Sequence, residues 1–274
     1  MPWSSTLQSF GAVVITGGSS GIGAAFIRTI QTIDSAPGVI NLSRTEIGKN
    51  ETKTPISHIP TDLGDPEAIR TSGDALISRL AEMGDGPLLL INNAGFGHYG
   101  AFSSPGAEDA ELGMIEVNVR AVVDLTQRLL PLLRARGGAV INIASLAAFQ
   151  PTPYFATYGA SKAFLLHWSL ALNEELRRDG VRFLAVCPGP TESNFFRRAG
   201  FKESPAVVRG QSAEAVVEEA LRALHRGRAQ VVTGVRNRFL AFFSARLPKP
   251  FAAWLSRHVM VRFRLAAEEK GAFE

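Results

Sequence analysis

The sequence has a single cysteine, Cys187, so no internal disulfide is available, and no Cys/His group has the paired spacing of a structural zinc site. That absence suits a reducing compartment and predicts a protein without a metal. No stretch approaches the roughly 18 consecutive apolar residues of a membrane span. Residues 1–10 lack the basic start and long apolar core of a secretory signal, so a cytoplasmic protein is expected. Acid is missing from one region altogether: residues 236–264 carry seven Arg and Lys and no Asp or Glu. The net charge of +4 therefore divides into a slightly acidic body and a basic tail.

What is present is enough apolar material for a large core. At 274 residues and 46% hydrophobic, one domain spanning 1–274 can bury its apolar surface without staples. Short aliphatic runs at Ala12–Thr16, Val39–Leu42, Leu88–Asn92, Ala139–Ile143, Val181–Val186 and Gln230–Thr233 read as strands. Helical periods fill Ile22–Thr32, Pro66–Met83, Asp109–Leu133, Tyr154–Arg178 and Ala213–Arg226. The strands show little in/out alternation, as expected of a parallel sheet covered on both faces, and the fold class is a doubly wound α/β fold. Residues 191–212 fit neither period and follow a strand's carboxyl end, so they are expected to form a substrate-covering loop.

The first strand runs into Thr16-Gly17-Gly18-Ser19-Ser20-Gly21-Ile22-Gly23, followed by an apolar helix. Gly17 permits a tight turn, Gly21 lets backbone approach a diphosphate, and Gly23 allows close helix–strand packing; Ser19 and Ser20 add hydroxyls, and the amides of Gly21 to Gly23 open the helix. Glycine in such turns also serves geometry alone, so context must decide. At the end of the second strand, where a carboxylate would hold the ribose hydroxyls of NAD, the chain has Asn41-Leu42-Ser43-Arg44. A guanidinium at Arg44 with a hydroxyl at Ser43 suits a 2′-phosphate, which favours NADP(H) over NAD(H). The alternative for Arg44 is a solvated surface arginine.

Tyr158-Gly159-Ala160-Ser161-Lys162 lies within a helical stretch, and four-residue spacing puts the tyrosine and lysine on one face. A nearby ammonium would stabilise the phenolate and bring Tyr158 toward neutrality as a proton donor or acceptor. Ser145 follows the Ala139–Ile143 strand, so its hydroxyl is carried to the same sheet edge and could polarise a carbonyl. A tyrosine and lysine at this spacing can equally be packing plus a surface lysine.

Taken together these residues resemble the short-chain dehydrogenase/reductase family in its shorter, single-domain form, over Gly11 to about Thr233. The resemblance joins Thr16-Gly17-x-x-x-Gly21-x-Gly23, Asn92-Asn93-Ala94-Gly95, Asn118, Ser145, Tyr158-x-x-x-Lys162 and Pro188-Gly189 in family order. It implies a Rossmann fold and a nicotinamide-dependent enzyme. Tyr158 would be the acid/base, Ser145 would orient substrate, Lys162 would hold the nicotinamide ribose, and Asn118 would support a water-linked proton path. It also implies Asp62 and Leu63 at the adenine, Asn93, Ala94 and Gly95 along the cofactor, and Pro188, Gly189 and Thr191 near the nicotinamide. Asp62 has a plain turn-cap reading too. Family resemblance further implies a homodimer or homotetramer.

The expected reaction is hydride transfer between NADP(H) and a ketone, aldehyde or secondary alcohol, with an NADP(H)-binding regulatory or scaffold protein as the alternative. Phe96, His98, Phe149, Phe155, Phe195 and Phe196 flank the motifs and suggest an apolar substrate pocket, although core packing explains each equally well. The basic aromatic extension 236–274 is divided by Pro248 and Pro250 into two helical pieces. Its expected role is to cover a subunit or the substrate cleft; contact with an anionic membrane is a second reading, and nucleic acid is not an expected partner.

Overall fold

The computed structural model describes residues 3–47, 56–200 and 210–268. The chain opens with α1 (Ser4–Gln8), β1 (Ala12–Thr16), α2 (Gly21–Gln31), β2 (Gly38–Ser43), β3 (Ile56–Pro60), α3 (Pro66–Glu82) and β4 (Leu88–Asn92). It continues through α4 (Ala107–Ile115), a π-helical turn at Glu116–Arg120, α5 (Ala121–Arg136), β5 (Gly138–Ile143), a 3-10 turn at Leu146–Phe149 and α6 (Ala156–Glu175). A 3-10 turn at Arg177–Asp179, β6 (Val181–Cys187), α7 (Phe195–Arg198), α8 (Ala213–His225), β7 (Gln230–Val232), α9 (Val235–Arg246) and α10 (Lys249–Glu268) complete it.

All seven strands pair in parallel in the order β3-β2-β1-β4-β5-β6-β7. Strand alternation assigns the two faces. Val13, Ile15, Leu89, Ile91, Ala139 and Ile141 meet Phe26 and Ile30 of α2 and Val217 and Leu221 of α8. The intervening Val14, Leu88, Leu90, Val140 and Phe183 meet Leu76 and Leu80 of α3 and Leu125 and Leu129 of α5. Both faces are thus dry, which is why the strands read as continuous apolar runs. Strand order reverses between β1 and β4, and the crevice outside their carboxyl ends is where such sheets take ligands.

Four expectations are corrected. β3 was not among the expected strands: its sequence Ile-Ser-His-Ile-Pro is half polar because it forms the sheet edge beside β2 alone. The single helix expected over Asp109–Leu133 starts at Ala107 and is interrupted by the π turn. The helix expected from Tyr154 begins at Ala156, because Tyr154 has φ +63 and Phe155 φ −146, both outside the helical range. Residues 191–212 include a short helix, α7, and a parallel bridge between Thr191 and Gln211; residues 201–209 of that span lie outside the described residues.

A buried polar chain ties the sheet to α6. Asn92 Nδ2 donates to Asn142 Oδ1 (2.8 Å) and Thr126 Oγ1 (3.1 Å), and Asn142 Nδ2 donates to Ser169 Oγ (2.8 Å). Hydrogen bonds across β4, β5, α5 and α6 set the height of α6 against the strand ends, where Tyr158 and Lys162 sit.

Candidate functional site

The β1–α2 turn is shaped by its glycines. Gly17 sits at φ +67 and Gly21 at φ +55, in the left-handed region. A Cβ at Gly23 would run into Gly17 O and Asn93 Nδ2, so α2 packs against the loop only because that side chain is missing. Ser20, in extended conformation, is the N-cap residue of α2, and its hydroxyl makes no capping bond to that helix. Beside the helix start, Gly21, Arg28, Ser193, Asn194 and Glu214 line an open cleft of about 500 Å³.

Two neighbouring loops hold this turn. Gly18 N donates to Asn41 Oδ1 (2.9 Å), and Asn93 Nδ2 donates to Thr16 O (2.9 Å) and Gly17 O (3.1 Å). Thr16 Oγ1 accepts from the amides of Asn93 and Ala94, both at 3.0 Å. Asn93 is therefore a staple between the glycine loop and the Asn92-Asn93-Ala94-Gly95 segment, with its amide committed to the protein. At the end of β2, Arg44 is exposed, whereas Ser43 is buried: its hydroxyl donates to Thr45 O (2.7 Å) and accepts from Asn41 Nδ2. In this arrangement the one Ser43 hydroxyl hydrogen is engaged within the protein, and Arg44 is the exposed group at the end of β2. Asp62 is exposed and its Oδ1 accepts from Gly64 N (2.9 Å), while Leu63 is part of the core.

Tyr158 and Lys162 do share the inward face of α6, and both are buried, at 7% and 4% exposure. Ser145, at the start of the turn after β5, lies near enough to Tyr158 to act on its phenol and accepts from Ala147 N (3.1 Å). Lys162 Nζ donates to Ile143 O (2.8 Å) and lies 5.7 Å from the centre of the Tyr158 ring. An added Cβ on Gly95 would lie 3.0 Å from Asn118 Oδ1 and 3.2 Å from Lys162 Nζ, so these two groups flank the same point. Asn118 is fully buried in the π turn and its amide is saturated. Oδ1 accepts from Phe96 N (3.1 Å), and Nδ2 donates to Phe96 O (2.9 Å) and Ser161 Oγ (3.1 Å). The extra residue of a π turn re-aims one side chain, and here it locks Phe96 to α6.

The electrostatics differ from the expectation of a tyrosine brought toward neutrality. Burial pushes the Tyr158 phenol up to about 12, with the Ser145 hydrogen bond pulling the other way. Burial likewise lowers Lys162 to about 8, opposed by the Cys187 thiol. Cys187, beneath them at the end of β6, is itself raised to about 12 by burial. Desolvation is the largest cause for all three groups, since each side chain lies buried in the packed interior.

The aromatic residues separate into two groups. Phe155 stacks on the Tyr158 ring (4.3 Å), Phe195 tilts over it (5.3 Å), and Phe96 and Phe196 pack around them. Phe149 packs instead with Ala148, Leu165 and Trp168 in a separate cluster, so the structure does not bring it to Tyr158. His98 Nδ1 faces Glu111 Oε1 at 3.2 Å, which holds it as a wall residue. After β6, Pro188 O accepts from Leu146 N (2.7 Å), and Thr191 Oγ1 donates to Gly189 O (3.1 Å), holding that turn beside Ser145.

Residues 11–203 match the short chain dehydrogenase family. The chain belongs to that family. A ketoacyl reductase, HetN, from Nostoc sp. is 32% identical over 65% of this chain and 62% of its own length. A short-chain dehydrogenase from Sphingobium yanoikuyae in complex with NADPH is 30% identical with a TM-score of 0.70, over 86% of this chain and 93% of its own. A bulky-bulky ketone specific alcohol dehydrogenase from Comamonas testosteroni is 26% identical with a TM-score of 0.69, over 87% and 92%.

Short-chain dehydrogenases are oxidoreductases that use a nicotinamide cofactor. The glycine turn fits one, since Gly21 leaves space beside the α2 start and no side chain caps that helix N-terminus. Sequence reasoning missed three residues at this short-chain dehydrogenase site. Asn41 organises the glycine loop from β2, and Tyr99 packs edge-on against Phe155 at 6.3 Å. Arg198 of α7 donates to Ser20 Oγ at 3.4 Å, bringing a cation from the 191–212 segment over a glycine loop that has none of its own. Only the three-dimensional return of that segment could reveal it.

Proposed function

We propose that this short-chain dehydrogenase reduces ketone or aldehyde groups on apolar substrates with NADPH, using Tyr158, Ser145, Lys162 and Asn118. The observation that carries the reading is geometric: Tyr158 and Lys162 are both buried on one face of α6, with Lys162 Nζ 5.7 Å from the centre of the Tyr158 ring and Ser145 at the adjoining strand end. A phenol that keeps its proton at neutral pH can give it to a carbonyl oxygen once that oxygen gains negative charge. The bound nicotinamide supplies the hydride. Tyr158 gives its proton to the substrate oxygen while the Ser145 hydroxyl donates a hydrogen bond to the same oxygen. Lys162, protonated below about 8, stabilises the phenolate left behind and can return a proton to it.

Cofactor contacts are assigned to the amides of Gly17 to Gly23 and the hydroxyls of Ser19 and Ser20, with Asp62, Leu63, Ala94, Gly95, Pro188, Gly189 and Thr191 along the remaining crevice. Arg44 and Arg198 supply positive charge for phosphate, which supports NADPH over NADH. The NADPH-bound relative and the ketone- and ketoacyl-acting relatives support this reading. Phe96, Phe155 and Phe195 form the substrate wall, with His98 at its margin.

The test is oxidation of NADPH and NADH with a panel of aliphatic, aromatic and lipid-like ketones and aldehydes, with Tyr158→Phe alongside. Turnover with NADPH that falls at least ~100-fold in the variant, with cofactor binding kept, is the expected result. Equal turnover in the variant would refute the assignment, and silence with tight NADPH binding would favour the regulatory reading.

A further inference from the structure

The last two helices are built inside out. A helix on a globular surface buries its large apolar residues and exposes its polar ones. In α9 the inward residue is Ala241, whereas Phe239, Phe242 and Phe243 point outward, with Phe239 63% and Phe243 62% exposed. In α10 the inward residues are Ala252 and Ser256, and Phe251, Trp254 and Leu255 are outside, with Trp254 54% exposed. The rings are ordered against each other: Phe242 meets Phe243 at 5.5 Å and Phe251 stacks on Trp254 at 5.7 Å.

Charge accompanies this surface with one sign only. Every ionised side chain between 236 and 264 is basic. Arg246 lies 3.5 Å over the Phe242 ring, keeping a cation at the level of the aromatics, and Arg257 is exposed between the turns of α10. Arg238, at the far side, is paired with Glu219 (2.6 Å). Among the described residues no helix is long and apolar enough to cross a membrane.

The helices are fixed to the rim of the site. The Asn237 amide packs where a Cβ on Gly189 would be, and Asn237 Nδ2 donates to Thr233 O (2.7 Å). Lys249 Nζ donates to Phe149 O (3.1 Å), and Tyr99 Oη donates to Met260 O (2.6 Å). Since Tyr99 packs against Phe155, the aromatic face and the wall beside Tyr158 belong to one rigid margin.

We infer that α9 and α10 form a docking surface for an anionic phospholipid membrane, with the aromatic rings in the headgroup boundary and the basic side chains on lipid phosphates. Exposed Phe and Trp on a stretch, residues 236–264, that carries no acid match what such an interface rewards, apolar area at the acyl boundary and positive charge above it. A second copy of the chain is the poorer occupant, because a symmetric contact would set one acid-free basic face against its twin.

The experiment is co-sedimentation of the full chain with vesicles of phosphatidylcholine alone and of phosphatidylcholine mixed with phosphatidylglycerol, read as protein in the pellet and needing no turnover. The full chain is expected in the pellet with the anionic vesicles, at least ~10-fold more weakly without them, and less so as salt rises. The triple variant Phe239→Ser, Phe243→Ser, Trp254→Ser should lose at least ~10-fold of that binding with an unchanged melting temperature, since all three side chains are exposed. A second variant, Arg246→Glu with Arg257→Glu, should lose it too. The inference is overturned if the full chain stays in solution with anionic vesicles or if the triple variant sediments as well as the parent. It is also overturned if sizing shows that the triple variant converts a dimer to a monomer while vesicle binding is absent.

Discussion

Replacing Lys162 with Met should leave a protein that is inactive yet more stable at neutral pH. Burial holds the Lys162 ammonium at about 8 instead of its ordinary 10.5. That displacement corresponds to about 3 kcal/mol charged against folding. Below about pH 8 folded and unfolded chains both carry the proton, and the folded chain bears the whole desolvation. Between about 8 and 10.5 the unfolded chain holds more protons than the folded one, so this contribution to stability rises with pH by about 1.4 kcal/mol per unit. Methionine has a similar stem and no charge but forfeits the hydrogen bond to Ile143 O, worth about 1 kcal/mol. The net gain at about pH 7 is therefore about 2 kcal/mol, shrinking to nothing by about pH 10. Urea unfolding of both proteins across that range measures it. Taking the difference between them removes most of the opposite contribution of Tyr158 and Cys187, which are raised to about 12 and lose stability as pH climbs past their ordinary values. A variant that is less stable at about pH 7, with a difference flat in pH, would show that Lys162 is not desolvated.

Other substitutions probe the cofactor crevice. Gly23→Ala places a methyl against Gly17 O and Asn93 Nδ2, and should weaken NADPH binding at least ~10-fold in a fluorescence titration; unchanged affinity would mean the loop opens without cost. Arg44→Ala should raise the Kd for NADPH by about 10-fold and leave NADH unaffected, because only the former carries the 2′-phosphate. Equal effects on both cofactors would remove Arg44 from that role. Arg198→Ala separates a clamp on the cofactor from a passive surface residue: a clamp shows as weaker NADPH binding, whereas a melting temperature change alone refutes it.

The sequence by itself determined six of the strands, the glycine turn and the Tyr158–Lys162 helix face. These rest on short-range rules: short aliphatic runs bounded by turn residues, backbone angles that favour glycine, and four-residue spacing. β1 and β4 ran as expected, from Ala12 to Thr16 and from Leu88 to Asn92. Where the partner is far along the chain, the sequence was silent. The edge strand at Ile56 is defined by pairing with Val39, and the π turn at Asn118 by bonds to Phe96 and Ser161. The direction of the Tyr158 shift was likewise a tertiary matter, because the lysine's field is local to the helix while desolvation comes from every element packed around it. The aromatic tail shows the division most clearly. Its composition announced a basic aromatic segment, yet only docking through Ala241, Ala252 and Ser256 decided that the phenylalanines face outward, since a helix period has two sides and the sequence does not say which one meets the core.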